Sequence, residues 1–430
     1  MPIRALHLVR QLAAERKPPA LLQKAQLGKL RRLVHESYKH TVAYRCLMQR
    51  AGVLPEKIKT LQDIERLPVI CKGDLLEFTE QERTNQRRSV GRRLLRVATS
   101  GSSGKPFEFV IDAEYDLWRK AQYLRPYVSN GRRPWHRVLR LTAIADPSNS
   151  GGSRFSPYRE LRIACTAAIE EQLKALQTFR PSIMQGYPSA LRCLAFEINL
   201  RKISTPYVQT VFTDSELLTP DSRSLIEAAF SAPVLDIFGT YETDNILYQC
   251  SRNSDYHVAL DSIIPEIIQD GMPVREGKGE LVATVLNNLT SPFIRYNLED
   301  VVGHVTSPCD CHRTFPLISI LAGRADDLVQ TVSGQRRSPL SFLWRFDAFS
   351  DLLREYQIVQ SMIDHFEVKV VPLRALTDAE ENRIRDAITV DYPDARVTVV
   401  AQLALQRSPA EKLKAFVCNV SPMARGDYGS

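Results

Sequence analysis

Apolar side chains recur at helical spacing near the start of the chain. Over residues 21 to 52 they return every three or four positions, with Leu22, Leu30 and Leu33 among them, and Lys and Arg residues lie between. This period predicts an amphipathic helical region. The stretch LPVICKGDL, residues 67 to 75, predicts a turn that leads into another short helix. The N-terminal region is therefore predicted to be mainly helical.

The pattern then changes to strand, polar loop and strand between Leu94 and Ile111. LLRVA and FEFVI are apolar or β-prone, whereas Gly101 to Pro106 cannot continue either strand. The loop offers hydroxyl and backbone N–H donors, close approach at its glycines and one Lys, which together suit a polyphosphate. It is not a Walker loop, because Pro106 stands where Ser or Thr would hold magnesium. Taken alone, a flexible Ser/Gly loop is the simpler interpretation.

Helical and strand patterns alternate over the next hundred residues. In chain order they are a helix at 113 to 128, a strand at 136 to 144, a loop at 146 to 158, the helix AAIEEQLKALQTF, the strand SIMQGY, the helix SALRCLAFEINL, the strand YVQTVFT, the helix SRSLIEAAF and the strand VLDIFG. Such alternation predicts an α/β fold with largely parallel strands. Ligands bind beyond the carboxyl ends of parallel strands, where the loops 186 to 189, 213 to 216 and 239 to 245 fall.

After Gly323 the pattern is that of a smaller unit. An amphipathic segment at 340 to 356 is followed by the strand FEVKVVPL, a helix at 378 to 390 and the strand RVTVVAQL. This β-α-β unit has the size of one small domain. We therefore place a domain boundary near Arg324 to Asp327.

Composition narrows the class of protein. The chain has 430 residues, of which 44% are hydrophobic and 25% charged, as in ordinary globular proteins. No apolar run approaches the roughly 18 residues of a membrane span, and the N-terminus lacks a secretory signal, so a cytoplasmic protein is expected. The net charge of +8 is spread along the chain and suits a polyanionic nucleotide. Nucleic acid is not expected as a partner, since no zinc-finger, RNA-recognition or basic-zipper pattern is present.

Four soft ligands form a candidate metal site. Cys309 and Cys311 lie close together, and Cys250 with His257 supplies two more ligands from an earlier segment. Three thiolates and one imidazole suit structural zinc, although the spacing departs from the standard Cys-x2-Cys. His312 could replace His257, and ordinary buried thiols are the alternative to a metal site.

Six motifs follow the Ser/Gly loop in the chain. They are GYPSAL (186 to 191), VFTDSELL (211 to 218), DIFGTYET (236 to 243), SPFIRYNLEDVV (291 to 302), AGRADDLV (322 to 329) and PAEKLKAFV (409 to 417). In this order the chain resembles the adenylate-forming superfamily of acyl-CoA synthetases, most closely its phenylacetate-CoA ligase branch, which includes capsular polysaccharide proteins. The resemblance extends over nearly the whole chain.

The resemblance implies a fold class and its domains. The expected fold is α/β, with a large N-terminal α/β domain of the acyl-adenylating type, which binds ATP and the acyl group, and a small mobile C-terminal α+β domain. With the boundary placed above, the domains are residues 1–325 and 326–430. Some members of the branch carry zinc at positions matching the four candidate ligands.

The resemblance also implies roles for individual residues. Glu242 would assist Mg2+, Lys412 would reach the α-phosphate and the carboxylate, and the C-terminal domain would turn about Asp326. The residues implied for ATP are Thr99, Ser100, Gly101, Ser102, Ser103, Gly104, Lys105, Phe238, Gly239, Asp300 and Arg324, and those for the acyl substrate are Tyr158, Tyr187 and Phe238. Two positions depart from the family pattern: Tyr241 stands where Thr or Ser is usual, and Glu411 where Gly is common.

The function implied is that of an AMP-forming acid-thiol ligase. ATP with Mg2+ would activate a carboxylic acid, expected to be aryl, and the acyl group would pass to CoA or a related thiol. Three alternatives stay open. The acceptor could be a carrier protein or an amine, the substrate could be an unusual oxyanion in place of the carboxylate, and the protein could be a noncatalytic nucleotide-binding scaffold. A homodimer is one of the oligomeric states that the sequence leaves open.

Overall fold

The computed structural model describes most of the chain. The described residues are 2–98, 107–143, 159–324, 329–331, 336–337, 339–347, 349, 352–407 and 413–420. Contacts divide the chain into two compact units. Unit 1 consists of Met1–Arg133 and Leu235–Ile320, and unit 2 of Pro134–Val234 and Leu321–Ser430. The predicted boundary between residues 325 and 326 falls outside the described residues and stays a prediction.

Helices and strands occupy most of the described residues. The helices are α1 (Pro2–Ala14), α2 (Pro19–His40), α3 (Val42–Arg50), α4 (Lys72–Leu76), α5 (Glu80–Arg83), α6 (Gln86–Ser89), α7 (Ala113–Ser129), α8 (Ile169–Phe179), α9 (Pro188–Leu200), α10 (Pro220–Phe230), α11 (Leu340–Asp347) and α12 (Asp378–Thr389). The strands are β1 (Leu94–Ala98), β2 (Glu108–Asp112), β3 (Arg137–Thr142), β4 (Arg159–Ala164), β5 (Ile183–Gly186), β6 (Thr210–Asp214), β7 (Val234–Thr240), β8 (Asp244–Cys250), β9 (Asn253–Val258), β10 (Ile263–Gln269), β11 (Met272–Pro273), β12 (Lys278–Val285), β13 (Tyr296–Val305), β14 (Leu317–Arg324), β15 (Val329–Gln330), β16 (Arg336–Arg337), β17 (Leu353–Met362), β18 (His365–Pro372), β19 (Arg396–Ala401) and β20 (Phe416–Cys418).

The N-terminal helical region of unit 1 is interrupted once within the predicted segment. Pro19 occupies the first turn of α2, where its missing N–H is not needed, and Leu30 and Leu33 are fully buried. At Thr41 the backbone is extended, so α2 ends and α3 begins. β-Branched Thr has a lower helix propensity, and its N–H still bonds to the carbonyl of Ser37. The apolar faces of both helices contribute to the core of unit 1.

An antiparallel sheet forms the rest of unit 1. Its strands lie in the order β11-β10-β12-β13-β14-β9-β8-β7. The separate hairpin of β1 and β2 is antiparallel, with Leu94 opposite Asp112 and Ala98 opposite Glu108. This pairing confirms the two predicted strands, whereas the predicted loop at residues 99 to 106 lies outside the described residues. The sequence analysis did not predict the antiparallel strands from β8 to β13.

Unit 2 contains two larger sheets and the short pair of β15 and β16. In the first, strands β6, β5, β3 and β4 are parallel in that order, which confirms the predicted parallel α/β region. Its core lies among β3 to β6 and helices α8, α9 and α10. In the second, the order is β19-β18-β17-β20, with β17 and β18 antiparallel and the outer pairs parallel. Phe342, Phe366 and Ile384 are among the fully buried residues of its core.

The structure contains a mixed α/β fold in each unit, as the sequence predicts. No helix in the described part of the chain is long and apolar enough to cross a membrane.

Candidate functional site

The hairpin of β7 and β8 carries Glu242. The register shifts between Phe238 and Gly239, and the turn is fixed by a bond from the Thr240 N–H to the Thr243 hydroxyl at 3.3 Å. A Cβ atom at residue 239 would lie 2.2 Å from the carbonyl oxygen of Asp244, so only glycine fits this close approach. The sequence Phe-Gly-x-x-Glu therefore folds into a tight hairpin because of its glycine.

Glu242 is held by a residue of another strand. Its side chain is 7% exposed, and the phenol of Tyr296 donates to its Oε1 atom at 3.3 Å. Phe238, half-buried, packs against the core of unit 1. A buried carboxylate oriented by a phenol offers the hard oxygen ligand that Mg2+ prefers. The sequence had placed Tyr296 in a motif without giving it a role.

Asp300 lies on the same strand as Tyr296, as the last residue of a bulge. Val301 pairs with Glu280 and Asn297 with Val282, so residues 298 to 300 stand opposite a single residue of β12. Glu299 adopts a φ of 65°, and its N–H bonds to the Asn297 side chain at 2.8 Å. A bulge changes the face on which the following side chains lie. The bulge thus sets the position of Asp300, which is 8% exposed.

Arg295, next to Tyr296, forms structural contacts with other segments of unit 1. It pairs with Glu266 through two bonds of 3.0 and 2.8 Å, and both side chains are buried. A further guanidinium bond reaches the carbonyl oxygen of Glu65 at 3.1 Å. The arginine of this motif therefore joins the strand to the segment before α4.

Three thiols and one imidazole come together elsewhere in unit 1. The ligand atoms of Cys250, His257, Cys309 and Cys311 all lie within 4.8 Å of one another. The Sγ atoms of Cys250 and Cys309 are 3.5 Å apart, and Cys311 Sγ is 3.2 Å from His257 Nε2. Two ligand atoms at about 2.3 Å from a tetrahedral zinc ion lie roughly 3.7 Å apart, so these atoms fit a Zn2+ site.

Electrostatics favour the metal-binding forms of two of these residues. Burial and the neighbouring Arg313 charge lower the pKa of His257 to about 4, so its imidazole is neutral at pH 7. Its Nδ1 lies 3.4 Å from the carbonyl oxygen of Phe315, which leaves Nε2 for a metal. Burial opposes ionisation of Cys311, yet the Arg313 N–H and guanidinium, together with Cys309, lower the pKa of its thiol. His312 is exposed and is not one of the four clustered residues.

A buried polar network lies beside the thiol cluster. Arg313 Nε donates to Glu15 Oε2 at 2.9 Å, and the Tyr248 phenol donates to Glu15 Oε1 at 2.8 Å. The Thr314 N–H also bonds to the Glu15 carbonyl at 2.8 Å. Glu15 follows α1 directly, so the cluster is joined to the N-terminal helix. No sequence pattern had pointed to Glu15, because these partners are more than 100 residues away.

Tyr187 begins α9 in unit 2. It is half-buried, occupies the N-cap position, and is followed by Pro188 in the first turn. Its ring packs against the core of the parallel sheet.

Several candidate residues fall outside the described part of the chain. Arg324 is the last residue of β14, but its side chain is not described. The other candidates outside the described residues are Thr99, Ser100, Gly101, Ser102, Ser103, Gly104, Lys105, Tyr158, Asp326 and Lys412.

Comparison with known proteins finds ligases among the proteins that are similar to this chain. No family model matches it. It is 27% identical over 373 residues to a phenylacetate-coenzyme A ligase of Thermus thermophilus, covering 83% of this chain and 82% of that protein. It is 24% identical over 361 residues to Protein CapK of Staphylococcus aureus, covering 80% and 77%. A crystal structure of 2-hydroxyisobutyryl-CoA ligase with 2-HIB-AMP superposes with a TM-score of 0.75 at 23% identity, covering 94% of this chain and 90% of that one.

The structural likeness shows the fold of the adenylate-forming CoA ligases, as the sequence motifs predicted. In sequence the chain is similar to phenylacetate-coenzyme A ligases and to Protein CapK, in agreement with the resemblance that its motifs show.

Proposed function

We propose that the protein is an AMP-forming ligase that activates a carboxylic acid with ATP and transfers the acyl group to the thiol of CoA. The observation that carries this proposal is the buried Glu242 carboxylate held by Tyr296 on the strand that also carries Asp300. These residues lie in motifs that resemble those of the adenylate-forming superfamily, and the proteins similar to this chain include several phenylacetate-coenzyme A ligases.

The first half-reaction is adenylation. The acid's carboxylate attacks the α-phosphorus of ATP, the bond to the bridging oxygen breaks, and pyrophosphate leaves with the electron pair. Asp300 accepts hydrogen bonds from the ribose hydroxyls, and residues 99 to 105 donate to the phosphates. Lys412 neutralises charge at the α-phosphate. Glu242 would hold Mg2+, which supplies charge neutralisation for the leaving pyrophosphate.

The second half-reaction is thioester formation. The thiolate of CoA attacks the acyl carbon of the acyl adenylate, and AMP leaves. Both steps depend on positioning and on charge neutralisation more than on covalent chemistry from the protein. Movement of residues 326–430 about Asp326 between the steps is part of this proposal.

The acid is proposed to be aryl or arylacetic. Relatives named for phenylacetate support this class, and Tyr187, Phe238 and Tyr158 are the candidate aromatic residues of its pocket. Transfer to a carrier protein or an amine is the alternative. The acceptor whose addition leads to release of AMP distinguishes these possibilities.

The thiol cluster is proposed to bind one structural zinc ion. Four protein ligands close the coordination shell, which is typical of structural sites and leaves no position for substrate. Elemental analysis of protein purified without chelator would then give one zinc per chain. Protein that contains no metal, although the three thiols and the imidazole are unmodified, would contradict this part of the proposal.

The function is tested by ATP-pyrophosphate exchange. Purified protein is assayed with a panel of aryl, arylacetic, fatty and hydroxy acids, and then for AMP release with CoA added. Glu242→Gln should lower exchange at least 100-fold, since it removes the charge that binds magnesium. ATP binding without exchange for any acid, in protein that is folded, would instead support a noncatalytic nucleotide-binding scaffold.

A further inference from the structure

Glu216 joins two distant segments of unit 2. It lies in the loop after β6, and its two carboxylate oxygens accept from different backbone groups. Oε2 accepts the N–H of Ser189, in the first turn of α9, at 3.0 Å. Oε1 accepts the N–H of Leu413, shortly before β20, at 2.8 Å. A single half-buried side chain thus holds together segments that are more than 200 residues apart.

The surroundings of Glu216 reinforce the same junction. Arg407 donates to the Ser189 hydroxyl at 3.3 Å and also pairs with Glu355 of β17. Burial raises the pKa of Glu216, while the two N–H donors and the charge of Arg407 oppose that rise. A carboxylate that accepts two backbone N–H groups makes short, directional bonds. Glu216 is therefore built into the structure as an anchor.

The anchored residue is next to a candidate catalytic one. Leu413 follows Lys412 in the chain, and the nitrogen that donates to Glu216 is bonded to the Lys412 carbonyl carbon. Lys412 is the residue proposed above to act on the α-phosphate. The hydrogen bond fixes the Leu413 N–H. In catalysis a misplacement of about 1 Å can cost on the order of 100-fold in rate.

We propose that Glu216 is a positioning residue for adenylation, which holds the backbone N–H of Leu413, the residue that follows Lys412 in the chain. This inference rests on the proposed function for the role of Lys412. The anchor itself depends only on the contacts of Glu216, so the two parts can be tested separately.

The anchor is tested by hydrogen-deuterium exchange in the full-length protein. In Glu216→Ala, the Leu413 amide should exchange at least about 10-fold faster, because its acceptor is gone. Glu197→Gln is the matched control: Glu197 lies on α9 and bonds to Arg354 at 3.0 Å, so the variant weakens the packing of β17 on α9 without touching Leu413. Unchanged exchange at Leu413 in Glu216→Ala would overturn the inference.

The consequence for catalysis is tested by separating the half-reactions. Glu216→Ala should lower ATP-pyrophosphate exchange by about 10- to 100-fold through kcat, while thioester formation from supplied acyl adenylate changes less than about 3-fold. Glu216→Gln, which keeps one acceptor oxygen, should recover part of the exchange. Equal losses in both half-reactions would indicate a general structural role and overturn the positioning role. Wild-type protein that shows no exchange with any acid would remove the proposed function and the role of Lys412 with it.

Discussion

Arg295 carries a charge in the interior of unit 1, where it pairs with Glu266 and donates to backbone carbonyl oxygens. Replacing it by Leu would leave the Glu266 carboxylate buried without its partner, and such losses cost about 3–5 kcal/mol. Arg295→Leu should therefore lower the urea midpoint of unfolding strongly. Arg275→Leu is the control, since Arg275 forms an exposed pair with Glu65 worth about 0–1 kcal/mol. Similar midpoints for the two variants would contradict the prediction.

Tyr296 offers a more specific test at the residue scale. Tyr296→Phe removes only the hydroxyl that donates to Glu242, and a buried hydrogen bond to a charged group contributes about 1.5–3 kcal/mol. The variant should stay folded, need more Mg2+ for half-maximal exchange, and lose about 10-fold in exchange rate. Tyr241→Phe, at a half-exposed position of the same hairpin, should leave both quantities within about 2-fold. A magnesium requirement equal to wild type in Tyr296→Phe would contradict this role.

At the scale of the element, the β7–β8 hairpin depends on one glycine. Gly239→Ala places a methyl group against the backbone of Asp244, so the turn that carries Glu242 must move. Pyrophosphate exchange should fall at least 10-fold, with a smaller loss of thermal stability. Gly28→Ala is the control, because Gly28 lies in α2 with open space around it, and Ala there should stabilise the protein by about 0.5–1 kcal/mol. Unaltered exchange in Gly239→Ala would show that the hairpin tolerates the shift.

The thiol cluster and α1 form a second coupled pair of elements. Arg313 and Thr314 follow Cys311 and bond to Glu15, at the end of α1. Removal of zinc, or Cys309→Ser, should free this segment and expose α1. Limited proteolysis should then cut within residues 1 to 17 several-fold faster than in wild type. Cys46→Ser, in α3 and outside the cluster, should not change the cleavage rate. Equal rates of cleavage within α1 with and without metal would show that α1 does not depend on the thiol cluster.

For the whole molecule, sequence periodicity was sufficient where an element repeats one pattern. The parallel strands β3, β5 and β6, their helices and the strands β18 and β19 were predicted from their apolar runs, whereas β4 was not predicted. The break at Thr41 could not be predicted, since one extended residue does not disturb the period of its neighbours. The bulge that ends at Asp300 and the Glu15 network depend on residues far apart in the chain. No local pattern encodes such contacts.

Two of the candidate groups show the same limit. The sequence named Cys250, His257, Cys309 and Cys311 as possible ligands, and the structure brings the four together. The motif VFTDSELL contains Glu216, but the hydrogen bond from Leu413 to Glu216 is known only from the folded structure. A residue type can be recognised from its neighbours along the chain, whereas an anchor is recognised only from its partner.

Each unit is assembled from two separate stretches of chain, and this order affects how the protein is made. Residues 1 to 133 must wait for about 100 residues of unit 2 to be synthesised before the strands of 235 to 320 appear. At about 5–20 residues per second, that wait lasts roughly 5–20 seconds on the ribosome. During it, the apolar faces of α2 and α3 have no sheet to cover them. A nascent chain of this kind is therefore a natural client for ribosome-associated chaperones.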